Sequence, residues 1–129
     1  MRIRLLGGYY TPDPEWPEEA HLELTSRCNL SCRFCYRESW EEELGDMEIQ
    51  LYKKILEDLK RSGVRVLWLG GFGEPLIHPE FQEALDEALK EFRVGIITNG
   101  TLISEYAREL SRVDWVVVSV ESFEEAEYE

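Results

Sequence analysis

The chain has 129 residues, enough to bury one modest core but not to close an eight-stranded (β/α) barrel, which takes about 250 residues. Lys and Arg number 14 against 27 Asp and Glu, and the net charge of −13 argues against nucleic-acid binding through a basic face. No apolar run reaches the roughly 18 residues a membrane span needs, and Met1 to Tyr10 lacks the apolar stretch of a secretion signal, so a cytoplasmic location is the expectation.

From the N-terminus, Arg2 to Leu6 alternates polar and apolar residues and reads as a short edge strand. Gly7, Gly8, Pro12, Pro14 and Pro17 then mark an irregular acidic arm, giving a first segment over 1–19. His21 to Thr25 alternates again, predicting a strand that runs into Cys28, Cys32 and Cys35. Asp46 is a good helix N-cap. A helix over 47–62 follows, with Tyr52, Ile55, Leu56 and Leu59 on one face and Gly63 at its end.

Val64 to Leu69 is an apolar strand closed by a glycine-rich turn, Gly70 to Pro75. From about Pro79, the residues Phe81, Ala84, Leu85, Ala88, Leu89 and Phe92 recur at helical spacing. Val94 to Ile97 forms the next strand and ends at Thr98-Asn99-Gly100. A short helix over 104–111 leads to Trp115 to Val120, a fourth strand expected to be buried. Residues 123–129 form an acidic tail. Trp68 and Trp115 are expected in the core; Trp16 and Trp40 receive no assignment.

Apolar strands separated by helices predict an α/β fold built of parallel βα repeats, with residues 20–122 as its core. Active sites of such sheets lie at the carboxyl ends of the strands. The cysteines, Gly70 to Pro75, Thr98 to Gly100, and Glu121-Ser122 each follow a strand, so one rim should collect them.

Three cysteines within eight residues do not resemble a disulfide framework. Soft thiolates suit an iron–sulfur cluster, zinc or copper(I). A structural zinc site takes four ligands, and only His21 and His78 are available to complete one, neither at zinc-finger spacing. Positions four and seven apart also share a helical face, so three small buried residues are a further reading.

Cys-x3-Cys-x2-Cys, with Phe34 before the third cysteine, closely resembles the signature of the radical S-adenosylmethionine (SAM) superfamily. The resemblance implies a partial TIM-like (β/α)6 barrel, of which this sequence supplies about four strands. It implies a [4Fe-4S] cluster on Cys28, Cys32 and Cys35, with one iron open to the amino and carboxylate groups of SAM. One electron would then cleave SAM to a 5′-deoxyadenosyl radical that modifies a substrate.

Phe72-Gly73-Glu74-Pro75 resembles the family's Gly-Gly-Glu turn, with Phe72 in place of its first glycine; Gly73 and Glu74 would hold the SAM amino group. By the same resemblance Phe34 would lie near adenine and Asn99 would face SAM or substrate. Ser119 and Glu121 would lie near the ribose or the methionine carboxylate, although an aspartate is commoner where Glu121 stands. An electron donor of ferredoxin or flavodoxin type is implied. A fourth strand with a bare edge should be covered by a second copy, another chain or the tail. The rival readings are a non-catalytic iron–sulfur or zinc module, half of a split enzyme, and an electron carrier.

Overall fold

A computed structural model of the chain describes residues 3–5, 8–10, 17–41 and 43–120. β1 (Ile3–Leu5) pairs antiparallel with β2 (Gly8–Tyr10), so part of the expected irregular arm is a strand. The main sheet holds β3 (Glu19–Leu22), β4 (Val66–Leu69), β5 (Arg93–Thr98) and β6 (Trp115–Val118), parallel and in chain order. The crossovers carry α1 (Ile49–Arg61), α2 (Phe81–Leu89) and the single turn α3 (Ala107–Leu110). The predicted α/β class and the strand–helix alternation are both present.

Strand alternation sends Leu67 and Leu69 of β4 and Val94 and Ile96 of β5 to one face, where all four are fully buried. Tyr52 and Leu56 of α1 and Phe81, Ala84, Leu85 and Ala88 of α2 complete this core. Each large side chain so buried contributes about 1.5–3 kcal/mol. The Tyr52 hydroxyl donates to the Ala84 carbonyl at 3.0 Å, tying α1 to α2. Burial pushes its pKa well above the usual tyrosine value.

The opposite face is aromatic. His21, Trp68, Gly95 and Trp115 lie in one row across the four strands. A Cβ at Gly95 would collide with the Trp68 ring, so the glycine lets the indole lie flat across β5. Trp68 stacks on Trp115 at 5.4 Å, His21 stacks on Trp68 at 6.0 Å, and the Arg93 guanidinium sits 4.4 Å over Trp115. The two tryptophans expected in the core line this half-covered face instead.

Other expectations shift. β3 ends at Leu22, because Thr25 pairs in an isolated bridge with Asp46 and turns the chain. That bridge also occupies Asp46, and the N-cap position of α1 falls to Glu48, whose side chain makes no capping hydrogen bond. The short helix before β6 is four residues long. β6 is not buried: Val116, Val117 and Val118 are exposed at 39%, 45% and 40%. Among the described residues, Trp115 is half-buried against Trp68 and Arg93, while the rest of this edge strand is exposed. Trp16, Glu121 and the tail over 123–129 lie outside the described residues.

Candidate functional site

The carboxyl ends of β3, β4 and β5 converge, and hydrogen bonds lace them into a rim. Directly after β3, Glu23 reaches across to the glycine turn that follows β4. Its Oε1 accepts from the backbone N–H groups of Phe72 at 2.6 Å and Gly73 at 2.9 Å. The Glu74 N–H then donates to the Arg27 carbonyl at 2.8 Å, joining the turn to the residue before Cys28. A Cβ at Gly73 would collide with the carbonyl oxygens of Thr25 and Arg27, so only glycine lets these two backbones come this close.

Glu74 faces inward and is 2% exposed. Its Oε1 accepts from the Thr98 hydroxyl at 2.8 Å and the Leu76 N–H at 3.1 Å, and its Oε2 accepts from the Asn99 N–H at 2.7 Å. The carboxylate expected to meet the SAM ammonium thus clips the turn after β4 to the end of β5. Asn99 closes the circuit. Its Nδ2 donates to the Cys28 Sγ at 3.5 Å and to the Asn29 Oδ1 at 2.8 Å, and its Oδ1 accepts from the Thr101 N–H at 3.0 Å.

The three cysteines are unpaired and half-buried. Cys28 Sγ also accepts from the Leu30 N–H at 3.4 Å, and the Cys35 N–H donates to the Cys32 carbonyl at 2.9 Å. Arg37, itself buried, donates to the Leu30 carbonyl at 2.6 Å and pins the loop from behind. Burial, then the neighbouring Cys28 and Cys35, push the Cys32 thiol up. Thiolates crowded in this way repel, and a bound cation would relieve that repulsion.

Among the described residues, no three His, Cys, Asp or Glu side chains converge on a single-ion site. Both candidate histidines are occupied elsewhere. His78 is buried with Nε2 2.9 Å from the Met47 carbonyl and Nδ1 accepting from the Glu80 N–H at 3.1 Å, which places its proton on Nε2. His21 stacks on Trp68. A four-ligand zinc site therefore lacks its fourth partner among the described residues.

The other predicted positions differ in how far they join this rim. The Ser119 N–H donates to the Thr98 carbonyl at 2.9 Å, placing this exposed residue beside the end of β5. Phe34 stands 60% exposed on the cysteine loop. Glu121 lies outside the described residues. Two features were not read from sequence: Glu23, and an aromatic group in which Trp40 meets Phe72 at 5.0 Å and Tyr36 meets Phe72 at 6.2 Å. Phe72, the departure from the Gly-Gly-Glu pattern, is thus the partner of Trp40. Its place in the motif was the available signal.

The model of the radical SAM superfamily matches residues 22–128. A tungsten-containing aldehyde ferredoxin oxidoreductase cofactor-modifying protein of Pyrococcus furiosus is 43% identical over 106 residues, covering 78% of this chain and 30% of that protein. The antilisterial bacteriocin subtilosin biosynthesis protein AlbA of Bacillus subtilis is 43% identical over 95 residues, covering 73% of this chain and 21% of its own length. The chain thus spans under a third of these relatives. Among solved structures, Streptococcus suis SuiB bound to S-adenosylmethionine aligns with a TM-score of 0.72 at 22% identity, over 88% of this chain and 27% of that one. BtrN in complex with AdoMet and 2-DOIA aligns with a TM-score of 0.68 at 24% identity, over 78% of this chain and 44% of that one.

Proposed function

This chain belongs to the radical SAM superfamily, and on that premise we propose that it binds a [4Fe-4S] cluster through Cys28, Cys32 and Cys35 and holds SAM at the adjoining rim. The carrying observation is the hydrogen-bond circuit that links Arg27 and Cys28 to Glu74 and Asn99. It joins the cysteine loop to the glycine turn and to the end of β5, so one ligand would touch all three.

The residues fit the group. Three soft thiolates on one short loop suit iron–sulfur ligation, and three ligands on a four-iron cluster leave one iron for an outside ligand. The Asn99 amide and the Leu30 N–H donate toward the Cys28 sulfur, and such bonds to cluster sulfurs tune the potential. When bound, the cluster supplies the single electron that cleaves SAM reductively, to modify a substrate.

The chain's own residues bind and orient. Gly73 admits the cysteine loop. Glu74, with both oxygens taken by the protein, acts on the ligand through the backbone it fixes. Asn99 holds Cys28 and Asn29. Phe34 and Ser119, both exposed, are the proposed contacts to the nucleoside, and Glu121 is proposed on motif position alone.

An electron donor of ferredoxin or flavodoxin type, a cytoplasmic location, and a second copy or another chain over the exposed valines of β6 complete the reading. Relatives of which this chain covers 30% and 21% support that cover. A non-catalytic iron–sulfur module is the second reading, favoured by the exposure of Val116, Val117 and Val118 among the described residues.

Electron paramagnetic resonance on the anaerobically reconstituted, reduced protein tests both. A cluster signal that changes on adding SAM supports the enzyme reading; one indifferent to SAM favours the module. Cys28→Ala, Cys32→Ala and Cys35→Ala should each abolish the cluster, and full SAM cleavage by any of them would refute the ligand assignment.

A further inference from the structure

Among the described residues the rim contains two carboxylates, Glu23 and Glu74, and only Glu74 belongs to the recognised motif. Glu23 lies 49 residues before the N–H of Phe72 to which it is bonded. One oxygen, Oε1, takes two successive N–H groups at 2.6 Å and 2.9 Å. In a planar trans peptide the carbonyl points opposite the N–H, and no peptide here is cis. Drawing the Phe72 and Gly73 N–H groups onto Glu23 therefore turns the Gly71 and Phe72 carbonyls away from it. The next peptide is fixed likewise, because the Glu74 N–H is held by Arg27 and the Gly73 carbonyl points away from that contact. A glycine-rich turn has many accessible conformations, and a charged acceptor holding two of its donors selects one.

We propose that Glu23 is a positioning residue for SAM: its carboxylate sets the peptides of the glycine turn so that the Gly71 and Phe72 carbonyls are presented to the SAM ammonium. This rests on the SAM site proposed above. The Glu74 carboxylate is buried and turned onto Leu76, Thr98 and Asn99, so the turn's outward chemistry is its backbone, and Glu23 determines which way that backbone faces.

The test is a SAM titration of the full-length, cluster-reconstituted protein, followed through the resonance of the reduced cluster, with iron and sulfide content measured first. Glu23→Ala should keep its iron and bind SAM about tenfold more weakly, the size of one lost hydrogen bond to a charged acceptor. Amide exchange at Phe72 and Gly73 should rise in the same variant. Glu23→Gln should fall between the parent and Glu23→Ala, because its side-chain carbonyl can accept the same two bonds without the charge.

Should Glu23→Ala fail to hold the cluster, Glu23→Asp, one methylene too short to reach both donors, carries the test with the weakened binding. Parent-like affinity in Glu23→Ala overturns the proposal. So does a Glu23→Gln as weak as Glu23→Ala, which would mean that the charge itself meets the ligand. A parent protein whose signal ignores SAM removes the site, and this inference falls with it.

Discussion

The helix-covered face of the sheet and its carboxyl rim are held by different forces. Beneath α1 and α2, Leu67, Leu69, Val94, Ile96, Leu85 and Phe81 are 0% or 1% exposed. Their attraction is non-directional and scales with buried area. At the rim the chain is fixed by single directional bonds: Glu23 to the glycine turn, Glu74 to Thr98 and Asn99, and Asn99 to Cys28. The first region sets whether the chain folds. The second sets where three thiols and a backbone turn stand relative to one another. Damage to each should therefore be read by a different instrument.

The largest effect on stability should come from Phe81→Ala. This ring is 1% exposed and meets Tyr106 edge-on at 5.3 Å. Its loss should cost about 3–5 kcal/mol, measured by urea denaturation, which is a large share of the stability of a domain this size. The fraction that remains folded should still take up iron. Iron uptake abolished in the folded fraction would break the separation between the regions.

That separation also explains what the sequence could and could not disclose. β4, β5 and α2 were legible because burial imprints a period: Val66 to Leu69 is a continuous apolar run, and Phe81 to Ala88 recurs at 3-4 spacing. β6 was legible as a strand but not in its exposure, since Trp115 to Val118 carries the same apolar run whether or not anything covers it. β3 was read two to three residues late. Its alternation continues to Thr25, but the bridge to Asp46 bends the chain first, and a pairing between distant residues leaves no local period.

At the rim, short motifs with fixed spacing gave Cys28, Cys32, Cys35, Gly73, Glu74 and Asn99. Glu23 stayed hidden within an ordinary strand alternation, and Trp40 within an acidic stretch. Their partners, Gly73 and Phe72, are 50 and 32 positions away.

Gly73→Ala should sharpen the contrast from the other side. The new methyl would push against the carbonyls of Thr25 and Arg27, backbone atoms that move only with the whole cysteine loop. Overpacking of this kind costs about 1–3 kcal/mol, less than the loss at Phe81. The expected signature is a modest fall in urea midpoint with a severe fall in retained iron and no SAM-dependent resonance. A Gly73→Ala protein that loads iron and answers SAM like the parent would show that the close approach does not matter to the site.

The smallest effect tests how the rim is anchored from below. Asp46 receives the Thr25 hydroxyl at 2.6 Å and the Arg27 guanidinium at 3.0 Å and 2.7 Å, fastening the base of the cysteine loop. Partial burial alone would raise the Asp46 carboxyl. The hydrogen bonds from Thr25 and Arg27, together with the Arg27 charge, outweigh it and hold the carboxyl below its usual value. A carboxyl depressed by folding adds stability that is fully present above the unfolded value, near 3.9, and is lost as pH falls through the lower folded value.

The Arg27 side chain is 43% exposed, so solvent screening keeps the contribution below about 1 kcal/mol. As pH falls from about 5 to below the lowered folded value, the parent should lose that increment in urea midpoint relative to Asp46→Asn. The variant should start lower and change less. If the loop were held by its own packing rather than by this ionised clasp, the two proteins would fall in parallel as acid is added. The rim would then share the mode of stabilisation found under the helices.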